Sequence, residues 1–355
     1  MKTANKGEWS ELYALLLILA YGKIRETDAS LKGLDQFMEV EECFGPGGEA
    51  ECAEYKIHAN AKEVEVYCNG GLHKVLSMET LADYANEIYE GIAQGEGTFA
   101  IKGAEDVIEE IGCAKIKSPS YNKADIQIRT AKDKKPMGYS IKSFLGGNPT
   151  LINASKQTNF RYEVIGISEE EAKRINDIAG RAKIRNRIEK IGEYGGVLAF
   201  DKVCNPQFSK NLESIDPEMS KIIACMLLEY FSGSAKTCSE IADKLENKNP
   251  LHFPWTNDYK NKIIKFLSVM EIGMVPAKPW NGEERASGGE IILKKDGGML
   301  VFRSYQTYER NGFERYLFEN TYLDTPSPSR HGFGSIYSGE GKIWLNLNLQ
   351  VRLKE

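Results

Sequence analysis

Histidine is scarce, with four residues in 355 (His58, His73, His252, His331), and none stands at the paired spacing of a metal-binding helix. The seven cysteines (Cys43, Cys52, Cys68, Cys113, Cys204, Cys225, Cys238) are odd in number and form no CxxC pair. That argues against a zinc module or a disulfide scaffold and makes a reducing cytoplasm the expected compartment. No GxGxxG, GxxxxGKS or nucleophile-elbow motif occurs, which disfavours a dinucleotide, P-loop or serine-hydrolase enzyme. The longest apolar run, Leu12 to Tyr21, falls short of the roughly 20 residues that span a bilayer. Lys2 and Lys6 ahead of it imitate a signal peptide, but Glu8 and Glu11 spoil the positive flank. The run is therefore expected to be a buried amphipathic helix.

What is present is an ordinary soluble composition, 41% apolar and 27% charged, sufficient for a sizeable core and two domains. The net charge of -5 is unevenly spread. Residues 1–110 carry nine Lys/Arg against 22 Asp/Glu, a net of -13, whereas 115–142 carry eight (Lys115, Lys117, Lys123, Arg129, Lys132, Lys134, Lys135, Lys142) against Asp125 and Asp133, a net of +6. A local basic surface attracts phosphate even when the whole chain is acidic, although a solvated lysine-rich hairpin would have the same composition.

Apolar spacing predicts a helix over 8–21, strands at 55–58 and 63–68, and a helix near 79–93. ADIQIRT (124–130) and GYSIKSFL (138–145) alternate in the manner of strands, and the charged, proline-containing AKDKKPM between them suits a hairpin turn. Ser168 with Glu171 has the form of a capping box opening a helix to about Ile191. Beyond residue 200 come helical patterns at 217–231, 235–246 and 256–271, then strand-like IILKK, MLVFRS and KIWLNLNLQVRL. The Pro/Gly/Ser-rich 325–341 reads as an ordered or binding loop. The expected fold class is α/β, of the α+β kind with a mixed sheet, with a soft boundary near 200.

The hairpin holds the chemistry. Phosphodiester hydrolysis needs an activated water, a cation to neutralise developing charge and help for the leaving oxygen; carboxylates holding Mg²⁺ beside a lysine meet all three needs. Asp125 begins one strand, and Lys142 lies on the next, with Ser140 on the same face of it. Asp133 is a rival acid, but it sits in the turn, where aspartate has a structural reason to be. Because Ser140 occupies a place where a strand acid could have served, a further carboxylate must come from elsewhere. Glu8 and Glu11 share one side of the first helix, and Glu11 borders its apolar stripe; both also simply favour a helix N-terminus.

The segments GEWSELYALL (7–16), ADIQIRT with MGYSIKSFLG (124–146), PTLINASKQTNFRYEV (149–164) and SRHGFGSIYSGEGKIWLNLNLQVRL (329–353) together resemble, in order, HpaII-type restriction endonucleases. The resemblance implies a PD-(D/E)xK nuclease core over 1–200 and a C-terminal helical and β region over 201–355 that contributes to DNA recognition. It implies a Mg²⁺-dependent type II enzyme that cuts both strands of double-stranded DNA at a short palindrome, CCGG for the family's namesake. A DNA methyltransferase is the implied functional partner, and a homodimer is left open. Asp125 matches the metal-binding acid of the motif and Lys142 its lysine. Ala124 replaces the motif's proline, and Ser140 replaces the strand acid. Some related enzymes with Ser-x-Lys recruit an acid from a helix, and Glu11 is the first choice here, followed by Glu8 and Glu163.

Arginine reads guanine, so a CCGG-like site directs attention to Arg330 and Arg161, with Asn153, Lys156, Asn159 and His331 as base or phosphate contacts. Two other readings stay open: a catalytically degenerate DNA-binding protein, which Ser140 keeps alive, and a structure-selective repair nuclease built on the same core.

Overall fold

In a computed structural model the chain is described over residues 2–45, 53–113, 123–304 and 307–355, so that Cys52, Lys115 and Lys117 lie outside the described residues. The first apolar run is the helix Lys6–Tyr21. Asn5 caps it, accepting from the Glu8 N–H at 3.1 Å, while the Glu8 carboxylate accepts from the Asn5 N–H at 2.9 Å. Gly22 ends it at φ 63°, the left-handed conformation glycine tolerates best. The helix is buried on nearly every side and is not amphipathic, because the helix Met78–Gln94 and the sheet clamp it together.

That sheet has ten strands, in the order Gly33–Glu39, Lys23–Thr27, Met299–Arg303, Gly289–Leu293, Met137–Ser143, Ile126–Arg129, Glu42–Phe44, Glu54–His58, Glu63–Cys68 and Gly71–Ser77. The expected hairpin is present, with Met137 opposite Ile128 and Tyr139 opposite Ile126. Its lysine strand, Met137–Ser143, then pairs in parallel with Gly289–Leu293, setting Ser140 beside Glu290 and Lys142 beside Ile292. A second parallel pairing joins Met299–Arg303 to Lys23–Thr27; the remaining pairings in this sheet are antiparallel. Two strands from beyond residue 200 therefore stand inside the sheet, flanked by strands from before residue 145.

Alternation along those strands divides the interior. Tyr139, Ile291, Leu293 and Val301 join one core with the two N-terminal helices. Ile292, Leu300 and Phe302 join another, filled by Met219–Phe231, Cys238–Lys248, Asp258–Ile272 and two small sheets. One small sheet orders Thr150–Ile152, Val351–Leu353 and Thr321–Leu323; the other orders Val197–Val203, Asn159–Ile165, Lys342–Asn348 and Ile336–Gly339. The whole is a mixed α/β architecture with eleven α-helices among the described residues, and no described helix is long and apolar enough to cross a membrane.

The helix expected to run from Ser168 to Ile191 is two helices, Glu169–Asn176 and Lys183–Glu193. Ser168 and Glu171 form the capping box, but Gly180, at φ 96°, interrupts the run that the charge pattern carried straight through.

Gly289, at φ 128°, opens the strand beside Ser140, and a Cβ there would meet the Phe302 carbonyl oxygen at 2.0 Å. Gly289→Ala should cost about 2–4 kcal/mol through strain and backbone displacement. Gly192, late in a helix with open space around it, is the comparison; Gly192→Ala should be neutral or stabilising by up to about 1 kcal/mol. Thermal unfolding of both variants checks the difference.

Candidate active site

Asp125 sits just before the strand Ile126–Arg129, and the lysine strand holds it at two points. Its N–H donates to the Tyr139 carbonyl at 2.8 Å, and the Ile141 N–H donates to its Oδ2 at 2.7 Å. Asp125 and Lys142 thus come together at the carboxyl end of the lysine strand. There they line a cleft of about 790 Å³ with Glu8, Glu11, Asn148, Asn153 and Arg352 among its walls. A second hollow of about 480 Å³ shares Asp125 and Lys142 and adds Lys123, Ser140 and Gln157. The Ser143 hydroxyl donates to that of Ser10 at 2.8 Å, fastening the Glu11 helix to this strand.

Charge is crowded and poorly solvated here. Burial pushes the Asp125 carboxyl up to about 6, against the opposing pull of the Ile141 N–H and Lys142. Burial pulls Lys123 down to about 8, although Glu271 and Asp125 favour its charge. Lys142 is buried too, which works against its charge, yet Glu271, Glu290 and Asp125 outweigh that and hold it above the ordinary lysine value. Its Nζ lies 2.9 Å from Glu271 Oε1, on the helix Asp258–Ile272. Glu290 Oε1 accepts from the Tyr316 hydroxyl at 3.1 Å.

Glu271 and Glu290 were not found from the sequence. Each stands in an apolar stretch, VMEIGM and GGEIIL, and an acid inside such a run is the signal that could have drawn attention to them.

Of the other acids, Glu8 and Glu11 face the cleft, Glu8 also serving as capping partner of Asn5. Glu163 lies on the four-stranded sheet, paired with Lys342 at 2.6 Å, and does not line the cleft. Asp133 accepts from the Thr130 N–H and hydroxyl, a turn role. The carboxylate and carbonyl oxygens of the cleft suit a hard cation, but among the described residues no three His, Cys, Asp or Glu side chains converge as a metal cluster. One or two carboxylates, completed by water and a phosphate, is how magnesium is usually held.

The residues expected to read DNA separate into two groups. Asn153 and Lys156 are exposed, Asn153 on the cleft wall, and the same segment runs on to Asn159. Asn159 is buried, and its Nδ2 donates to the His331 carbonyl at 2.9 Å while its Oδ1 accepts from Asn348 at 2.6 Å. It therefore holds the turn that follows the short helix Pro328–His331. Arg187 holds the same turn from beneath, donating to the carbonyls of Gly334, Asn176 and Ile178. Arg330 itself is exposed and pairs with no described residue. Arg161 stands elsewhere, donating to Asp201 at 2.6 Å with its guanidinium 4.0 Å from the Trp344 ring centre. Within the basic segment, Arg129 is paired with Glu41 and Glu42, whereas Lys132, Lys134 and Lys135 are exposed on the turn.

An acid and a lysine gripped on neighbouring strands at an open polar cleft fit the needs of a DNA endonuclease. The family model described as HpaII restriction endonuclease matches residues 5–353. The type II restriction enzyme HpaII of Haemophilus parainfluenzae is 34% identical over 361 residues, covering 99% of this chain and 98% of that enzyme. The chain belongs to the HpaII restriction endonuclease family and is a type II, site-specific DNA endonuclease. No solved structure matches it.

The raised Asp125 pKa has a consequence for stability. A carboxyl that titrates near 6 when folded and near 3.8 when unfolded costs stability above pH 6, and that cost fades as pH falls towards 4. In a metal-chelated buffer, Asp125→Asn should therefore melt several degrees above the wild type at pH 7.5, with the gap closing as pH is lowered from 6 to 4. Melting curves across that range are the check.

Proposed function

We propose that this enzyme is a PD-(D/E)xK nuclease that uses Mg²⁺ to cut both strands of a CCGG-like palindrome. It would act in the cytoplasm beside a methyltransferase that protects the same site. The observation that carries the reading is the Asp125 carboxylate fixed to the backbone of the strand that bears Lys142, at one cleft. Asp125, with Glu11 from the first helix, would hold the cation; when bound it supplies charge neutralisation and an acidified water. Lys142 presents a buried ammonium to the phosphate oxygen that gains charge as the water attacks, an electrostatic contribution strengthened by poor solvation. Ser140, buried beside it, supplies a hydroxyl in place of the usual strand acid. A homodimer would match the two-fold symmetry of a palindrome.

The test is a digest of a mapped plasmid with Mg²⁺ and with chelator. Discrete fragments with Mg²⁺, absent for Asp125→Ala and Lys142→Ala while both variants still bind the site in Ca²⁺, are expected. Binding without cutting under every condition would mean a degenerate DNA-binding protein. Cutting only nicked or branched DNA would mean a repair nuclease. Glu11→Gln should also lose most cleavage with little change in melting temperature, and full activity would remove Glu11 from the site.

Base reading is assigned to Arg330. A bidentate arginine to guanine is worth roughly 1–3 kcal/mol, so Arg330→Ala should weaken cognate binding about 5- to 150-fold while hardly changing affinity for a scrambled duplex. Lys156→Ala, a phosphate contact on this reading, should weaken both duplexes alike and reduce the salt slope by about one. Isotherms at several salt concentrations separate the two, and equal loss on both duplexes for Arg330→Ala would end its role as a base reader.

A further inference from the structure

Lys142 does not extend freely into the cleft. Its strand turns it towards the C-terminal core, where Ser140 and Lys142 share a face with Glu290 and Ile292 of the parallel neighbour. Glu271 reaches the same spot from the helix Asp258–Ile272, is fully buried, and places Oε1 at 2.9 Å from Nζ. Among the described residues neither Glu271 oxygen has a well-aligned hydrogen-bond donor, and the Lys142 ammonium is its closest cation. Glu290 is fully buried as well, bonded at Oε1 by Tyr316, with Oε2 lacking a donor.

A buried ion pair of this kind is weak support for stability, since apolar replacements of both partners are often neutral or better. An acid held in an apolar helix and ion-paired to a lysine at the cleft needs another explanation. A lysine has a flexible four-carbon stem and no planar fork to orient it, so something must confine its ammonium. Burial and the neighbouring Glu271 push the Glu290 carboxyl well above the usual range, and it is Glu271 that makes the close contact with the lysine Nζ. Among the described residues Asp125 and Lys123 are the other charged groups around it.

We propose that Glu271 is a positioning residue that holds the Lys142 ammonium in one place beside Asp125, through the ion pair between helix and strand. It touches neither DNA nor the reacting phosphate and acts through Lys142. The inference rests on the reading of Lys142 as the reacting lysine. A misplacement of about 1 Å at a reacting group can cost on the order of a hundredfold in rate, which sets the size of effect to look for.

The experiment measures single-turnover cleavage and equilibrium binding of the duplex mapped by the plasmid digest, for wild type, Glu271→Asp and Glu271→Gln, with a melting curve for each. Cleavage should fall about 3- to 30-fold for Glu271→Asp, which keeps the charge but retracts it, and about 10- to 100-fold for Glu271→Gln. Binding in Ca²⁺ should stay within about threefold for both. Rates within twofold of wild type in either variant would overturn the proposal. So would a loss of binding and melting temperature that parallels the loss of rate, because that describes a structural pair. If Glu271→Gln does not fold, Glu271→Asp decides alone, and if neither folds the role is structural and the proposal fails. Lys142→Met tests the underlying reading separately. Cleavage by that variant removes Lys142 from the chemistry, whereas an inactive Lys142→Met beside a fully active Glu271→Asp removes only Glu271.

Discussion

The parallel pairing of Met137–Ser143 with Gly289–Leu293 is the constraint on which the rest of the molecule depends. It joins residues some 150 positions apart and brings a hairpin from the C-terminal half inside the large sheet. Alternation along the paired strands then sends one set of side chains to each core, so both cores form against the same strands. The register also decides chemistry. Shifting it by one residue would turn Ser140 and Lys142 towards the first helix and remove them from Glu271. Gly289 permits the pairing to begin where it does, because its left-handed backbone and missing Cβ admit the Phe302 carbonyl.

Around that pairing the molecule accepts electrostatic cost. Burial raises the Asp125 carboxyl towards neutrality, and Lys123 is pulled down beside it. An assembly selected for stability alone would have filled the same volume with apolar side chains. Charges kept in a place that penalises them are characteristic of functional sites, where groups are poised rather than comfortable. The ordinary surface ion pairs of the chain, such as Arg174 with Glu170, have no such cost and contribute little.

The turn bearing Arg330 is built on a different principle. Among the described residues nothing engages the Arg330 side chain, while the backbone just beyond it is fixed by Asn159 and Arg187. A guanidinium that reads a base must be free at its tip and rigid at its root, which reduces the ordering cost on binding. Asn159 spends its amide on that root. Arg161 spends its guanidinium on Asp201 and Trp344 in another sheet.

Local patterns in the sequence were sufficient for much of this. The first helix, the 126–143 hairpin, the three helices after 217 and the Ser168 capping box all follow from apolar spacing and capping chemistry, which act over a few residues. Asp125 and Lys142 were legible for the same reason, since a hairpin brings near neighbours together. What the sequence did not reveal is set by contacts between distant segments. The insertion of 289–303 into the N-terminal sheet and the burial of Glu271 and Glu290 against Lys142 depend on which segments pack together. Charge patterns could nominate Arg161 and Arg330 equally; only the tertiary structure separated the arginine already paired from the one left exposed. The sequence by itself determined the elements and the nearness of Asp125 to Lys142, because hydrophobic period and hairpin closure are local. The tertiary structure decided the lysine's surroundings and the faces of the sheet, because parallel pairing is non-local and its register is chosen by the whole core.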